Sequence, residues 1–169
     1  EIGASVAVDG VCLTVASIAN GEVSFDVMQQ TLDTTTLKHA QQGRHFNIER
    51  SAKLGDEIGG HPVSGHVDCV TRVVAVTVPE NNRFVDYALP QAFSRYIFPK
   101  GFIALNGCSL TVAEVDSRQK TFRVCFIPET LRVTTHSEKN AGDEINIEID
   151  RHTQVIVDTV ERYLTASNQ

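Results

Sequence analysis

A chain of 169 residues with 41% hydrophobic and 21% charged content can bury a sizeable core and has a globular make-up. Its net charge of −6 argues against nucleic acid or an anionic membrane as partner, since both would repel it. No apolar run approaches the roughly 18 residues of a membrane helix, and no signal-peptide pattern opens the chain. Four cysteines (Cys12, Cys69, Cys108, Cys125) form no CxxC pair, so no zinc or redox motif is suggested. Buried free thiols and a cytoplasmic setting are expected.

In chain order, strands are predicted at 5–8 and 12–18, joined by Asp9-Gly10, which tolerates the positive φ of a tight hairpin turn. A strand at 23–27 and a short helical or irregular connection at 31–40 follow. Gly43 is placed where a helix C-cap wants no Cβ, before a last strand at 46–49. A segment with three glycines and two histidines, Ile58 to Asp68, leads to a strand at 67–78. After it come the turn Pro79-Glu80-Asn81-Asn82, a strand at 84–89 and the segment 90–98. Asn106-Gly107 then marks a second hairpin, followed by a strand at 122–126, a connection at 130–140, Gly142 and a strand at 145–149. In the tail, Ile156, Val160 and Tyr163 recur at helical spacing, with Val157 and Leu164 beside them and Asp158, Glu161 and Arg162 opposite. That pattern is an amphipathic helix of about four turns, which must dock on its own barrel or on another copy.

The chain is also written twice. Ala7-Val8-Asp9-Gly10-Val11-Cys12-Leu13-Thr14-Val15-Ala16 returns as Ala104-Leu105-Asn106-Gly107-Cys108-Ser109-Leu110-Thr111-Val112-Ala113. Thr31-Leu32 and Asn47-Ile48-Glu49 return as Thr130-Leu131 and Asn146-Ile147-Glu148, about one hundred residues later. A period of that length is a duplicated small domain, too long for a solenoid or propeller unit. Short strands with regular turn signals make it all-β: tandem duplicated small Greek-key antiparallel β-barrels plus a C-terminal α-helix. The expected units are residues 1–60, 61–150 and the helix 151–169. An opening hairpin of about 35 residues, present in the second copy, has no counterpart in the first. The first barrel is therefore expected to be open, with an exposed sheet edge.

The copies differ where chemistry would differ. Cys12 faces Ser109 at matched positions, two near-isosteric groups that can hydrogen-bond or add to an electrophile; a merely small, half-buried position is the plain alternative. Asp150 faces Ser51, and only the carboxylate can accept a proton. Within Gly59-Gly60-His61-Pro62-Val63-Ser64-Gly65-His66, the glycines suit a backbone that approaches a ligand closely, and His66 suits acid–base work near neutral pH. Solvated linker histidines are the competing reading. Two histidines without a third ligand do not make a metal site.

Together these motifs, with Lys100-Gly101-Phe102-Ile103, Ile127-Pro128-Glu129-Thr130-Leu131 and Asn146-Ile147-Glu148-Ile149-Asp150, resemble the riboflavin synthases of the lumazine-binding barrel family. The resemblance spans essentially the whole chain. It implies a dismutation of two 6,7-dimethyl-8-ribityllumazine molecules to riboflavin and a ribitylamino-pyrimidinedione, with no metal or redox cofactor. It implies a homotrimer held by the C-terminal helix, with each active site between one subunit's N-barrel and a neighbour's C-barrel, and lumazine synthase as an associate. A non-catalytic lumazine- or flavin-binding protein of the same fold is the alternative. Carried over by residue, the catalytic candidates are Ser5, Cys12, His66, Ser109 and Asp150, with His66 and Asp150 as the proton-handling pair. The implied binding positions in the first copy are Cys12, Leu13, Thr14, Asp26, Val27, Met28, Gln29, Gln30 and Thr31. In the second they are Gly65, His66, Val67, Lys100, Ser109, Leu110, Thr111, Ile127, Pro128, Glu129, Thr130, Leu131 and Arg132. The resemblance departs at the start, where a Met-Phe-Thr-Gly-Ile-like segment is absent. This implies an incomplete first pocket, hence a binder through the second barrel and a poor enzyme.

Overall fold

The computed structural model describes residues 1–80 and 82–167. In the first unit, β1 (Ser5–Val8), β2 (Val11–Ala19), β3 (Glu22–Phe25) and β4 (Ile48–Arg50) form an antiparallel sheet in the order β3-β2-β1-β4. In the second, β5 (Cys69–Thr77), β6 (Arg83–Ala88), β7 (Phe102–Leu105), β8 (Cys108–Asp116), β9 (Thr121–Phe126) and β10 (Glu144–Ile149) close into a barrel, β10-β5-β6-β9-β8-β7. The four strands of the first sheet correspond to β9, β8, β7 and β10. Counterparts of β5 and β6 are not among the described residues, and the first sheet is open, as its sequence predicts.

Asp9-Gly10 and Asn106-Gly107 make the same two-residue turn, with φ of 45° and 80° in one and 46° and 81° in the other. Both central residues are left-handed, so the twist of the turn matches that of its strands and fixes Val8 opposite Val11 and Leu105 opposite Cys108. The register then sets the alternation. Val11, Leu13 and Val15 face one core and Leu110 and Val112 the other, while Cys12, Thr14 and Thr111 are exposed and Ser109 half-buried. Both long strands carry an irregularity one turn later, at Val15/Ser17 and Val112/Glu114, which bends them around their cores.

The expected connections are α1 (Gln29–Thr34) and α2 (Pro128–Val133), each followed by a 3₁₀ turn, Thr36–His39 and Thr135–Glu138. Gly43 and Gly142 are not helix C-caps. The 3₁₀ turns already stop at Ala40 and Lys139 in extended conformation, and the glycines occupy separate tight turns closed by Arg44 N–H to Gln41 O and Asp143 N–H to Asn140 O. In the 79–82 turn, Asn82 N–H donates to Pro79 O at 2.8 Å, and Asn81 lies outside the described residues, as do Asn168 and Gln169 of the tail.

The thiols are not the buried set expected. Strand alternation leaves Cys12 and Cys125 exposed, and only Cys69 and Cys108 are partly buried. Burial pushes those two thiols up, to about 12 and about 11.

The two units meet turn to turn. A Cβ on Gly10 would stand 2.5 Å from the Gly107 nitrogen, so neither turn tolerates a side chain there. Around this contact the hydrogen bonds are reciprocal. Asn47 accepts from Thr135 N–H (2.7 Å) and donates to Asn106 O (3.2 Å). Asn146 accepts from Thr36 N–H (2.8 Å) and donates to Asp9 O (2.8 Å). Asp9 and Asn106 in turn accept from the main-chain N–H groups of Asn47 and Asn146, each at 2.8 Å. Both residues are buried and each leaves one side-chain atom, Asp9 Oδ2 and Asn106 Nδ2, without a hydrogen-bond partner; the mismatch is that Asp9 is an acid, with Arg44 3.9 Å away, and burial raises its carboxyl above the usual range.

Among the described residues the core clusters are unequal, fifteen buried hydrophobic residues in the barrel against four under the open sheet, so the barrel carries most of the stability. His136 is a polar group packed into the barrel core. It packs on Phe126, its Nε2 pairs with Leu105 O at 3.1 Å, and Leu37 holds the matched place in the first unit. Burial pushes this imidazole down to about 4. The unfolded chain takes a proton near pH 6.5 while the native state refuses it, so stability is lost as pH falls from 6.5 to 4, by about 3 kcal/mol. His136→Leu is expected to flatten that acid limb, read as melting temperature between pH 4 and 7.

Helix α3 (Arg151–Ser167) settles on its own barrel, and by its polar side. Val157 packs on the core, Tyr96 OH donates to Asp158, and Arg95 pairs with Glu161 at 3.1 Å. Val155, Ile156, Val160, Tyr163 and Leu164 face outward, each more than half exposed. Among the described residues no helix is long and apolar enough to cross a membrane.

Candidate active site

The glycine- and histidine-bearing segment forms a strap across the junction of the units. Two anchors hold it. The buried Glu148 carboxylate on β10 accepts from Ser64 N–H and Oγ–H, each at 2.7 Å, and from Gly65 N–H at 2.8 Å. Arg151 donates to the carbonyl of His66 (2.6 Å) and to Asp68 (2.9 Å), whose other oxygen accepts from Ile149 N–H. So fixed, Gly65 accepts from Cys12 N–H at 2.8 Å. Its φ is +79°, and an added Cβ would sit 2.6 Å from the Cys12 Cβ, so only glycine fits. An added Cβ on Gly60 would stand 2.3 Å from Ser109 Oγ. The glycines thus allow the strap to touch the matched side chains Cys12 and Ser109.

At its upstream end the strap delivers a histidine to Ser109, and it is His61. Its Nδ1 lies 2.6 Å from Ser109 Oγ, and its own N–H donates to the same oxygen at 3.1 Å. In the tautomer protonated on Nε2, the Ser109 hydroxyl donates to Nδ1, the arrangement in which the ring can take the serine proton. The ring stacks on Phe102 at 5.1 Å, is 7% exposed, and its Nε2 is buried without a partner. Burial lowers its pKa, against the opposing pull of Asp150 and Glu148, so the imidazole is neutral at pH 7.

The pairing of His66 with Asp150 is not what the geometry presents. The Asp150 carboxylate caps α3, accepting from the N–H groups of His152 and Thr153 (both 3.2 Å) and from Thr153 Oγ1 (2.8 Å). Although burial works to raise its pKa, these bonds prevail and hold it below the usual carboxylate range. The His66 side chain is exposed, further along the strap. A cleft of about 470 Å³ between the units is lined by Ser5, Cys12, His61, Ser64, Gly65 and Ser109 among others.

The remaining binding candidates lie outside that cleft. Leu13 and Leu110 are core residues that offer a ligand only their main chain. Thr14 and Thr111 stand exposed on β2 and β8, and Val67 is half-buried at the end of the strap. Asp26, Val27 and Met28 leave β3, and Gln29, Gln30 and Thr31 open α1; Ile127 to Arg132 repeat that arrangement on α2, where Arg132 pairs with Glu129 at 2.6 Å. Lys100 sits in the turn before β7 at φ +68°, its N–H on Val112 O. Each unit therefore presents the same two elements, the outer face of its long strand and the start of its short helix. His61 and Glu148 were the residues missed. The Gly-Gly pair ahead of His61 was the available signal, since small residues beside a histidine let it lie flat against a strand. Among the described residues no group of three or more His, Cys, Asp and Glu is arranged to hold a metal.

Residues 1–51 and 64–150 match the sequence profile of the lumazine binding domain. The chain belongs to the lumazine-binding family. It is 48% identical over 167 residues to riboflavin synthase of Escherichia coli (strain K12), covering 98% of this chain and 78% of that protein. It is 45% identical to riboflavin synthase of Chlamydia pneumoniae, covering 99% and 80%. Among solved structures it resembles LumP complexed with riboflavin, with TM-score 0.79 and 26% identity, over 88% of this chain and 79% of that one. For this family member the two profile matches leave out residues 52–63, which include the upstream part of the strap with Gly60 and His61.

Proposed function

We propose that this chain catalyses the riboflavin synthase reaction. Two molecules of 6,7-dimethyl-8-ribityllumazine react, one giving four carbons to the other, to yield riboflavin and 5-amino-6-(D-ribitylamino)uracil. The observation that carries the reading is 48% identity to the Escherichia coli enzyme over nearly the whole chain. The resemblance gives the catalytic roles to Ser5, Cys12, His66, Ser109 and Asp150. The oxidation levels balance between the two substrates, so the reaction needs no redox cofactor.

A dismutation needs two copies of one substrate face to face, and duplicated units supply two related surfaces. Holding the pair in register supplies part of the barrier, up to about 7–11 kcal/mol in favourable cases. Carbon–carbon bond formation also needs a proton taken from the methyl group of one molecule and an electrophilic ring carbon activated in the other. Neutral His61 with Ser109 is suited to the proton, His66 is the alternative acceptor, and Cys12 and Ser5 face the other substrate. Asp150 contributes by seating α3 and by its field on His61. The outward apolar stripe of α3 supports a homotrimer built on that helix, with each site completed by a neighbour, and four free cysteines suit a cytoplasmic setting.

The test is incubation of the purified protein with 6,7-dimethyl-8-ribityllumazine. One riboflavin and one pyrimidine for every two lumazines consumed is the expected result. The likeness to LumP favours the second reading, a non-catalytic binder. Saturable lumazine binding without any riboflavin formed would establish that reading and dismiss the enzyme.

A further inference from the structure

We infer that Glu148 is a positioning residue for this reaction, acting through the strap and not on substrate; the inference rests on the riboflavin synthase reading. Glu148 is 3% exposed, and a carboxylate so buried is tolerated only where hydrogen bonds replace its water. Three do so here, two of them from the consecutive N–H groups of Ser64 and Gly65, a small concave anion seat built by the strap itself. Charge-assisted bonds of this kind are short and directional, so they fix where the strap lies.

What the strap carries makes the position matter. Gly65 meets Cys12 of the first unit through its carbonyl and its bare Cα, and four residues upstream His61 meets Ser109 of the second. His66 follows directly and is held on its other side by Arg151. One buried carboxylate therefore sets the spacing between the reactive groups of both units. The matched residue of the first copy, Glu49, is exposed among the described residues.

Two variants and two readouts test this. Glu148→Gln keeps the volume but turns an NH₂ group toward N–H donors; Glu148→Asp keeps the charge one methylene short. Amide hydrogen exchange follows the Cys12 N–H, which donates to Gly65 O at 2.8 Å, with the Val15 N–H of the same strand, on Ala4 O at 2.9 Å, as the internal reference. In Glu148→Gln, the Cys12 amide is expected to exchange about tenfold faster relative to Val15 as the strap lifts off it. Over the same change kcat falls about 10²-fold, the cost of a shift of about 1 Å, with a smaller change in KM. Glu148→Asp recovers part of both. An unchanged Cys12 to Val15 ratio overturns the inference. So does parallel acceleration of both amides, which would make Glu148 a residue of general stability, or a lifted strap with kcat intact. If the parent converts no lumazine, the proposed reaction falls, while the exchange ratio still decides whether Glu148 holds the strap.

Discussion

His61→Ala is expected to lower kcat by about 10²- to 10⁴-fold, the range a positioned acid–base group supplies, with a smaller change in KM. The contact behind this is the 2.6 Å approach of Nδ1 to Ser109 Oγ. Ser109→Ala should cost about as much, and the double variant little more than either, because two groups that pass one proton act as a unit. The pH profile gives a second readout. Burial holds the His61 pKa below the ordinary imidazole value, so the basic form survives acidification and the acid limb of kcat/KM falls below pH 6.5. His66→Ala is the companion measurement, since that exposed ring is the other acceptor on the strap. Full activity in His61→Ala with a loss in His66→Ala would reduce the His61–Ser109 contact to a structural one.

In the proposed trimer, Val160→Glu is expected to split the oligomer and abolish most activity, because each composite site there would need a neighbour. In the isolated chain Val160 is 51% exposed and points away from the barrel, so the substitution should leave the melting of the barrel nearly unchanged. In a trimer built on α3 it would bury an unpaired charge, at a cost of at least a few kcal/mol. Sedimentation of parent and variant reads this directly. A variant that stays trimeric, or a parent that is a fully active monomer, would rule out the cross-subunit site.

Much of the fold was legible because its signals are local. Asp9-Gly10 and Asn106-Gly107 announce their turns, the alternation after them sorts Leu13 from Thr14, and the spacing of Ile156, Val160 and Tyr163 is helical on its face. The site was less legible because it is assembled by contacts across long separations. Nothing near His61 in sequence says that Ser109 lies against it, and His66 looks equally suitable in isolation. Asp150 carries two signals at once. Its contrast with Ser51 points to chemistry, and a carboxylate just ahead of an amphipathic stretch is an N-cap signal, the role its bonds to His152 and Thr153 display. The exposed thiol of Cys12 follows from period-two alternation, which outweighs the general tendency of cysteine to be buried.

The junction of the units has the symmetry of a dimer contact. Residue i of one half meets j of the other while j of the first meets i of the second, through Asn47 and Asn146, Thr36 and Thr135, Gly10 and Gly107. That reciprocity is the mark of an isologous contact, the kind formed when two identical molecules associate about a two-fold axis. Each half alone would leave its asparagine and threonine unanswered, and another copy of itself would answer them equally well. The junction is therefore a pseudo-two-fold contact inside one chain, with its bonds paired across it and Asp9 standing where the other half has Asn106.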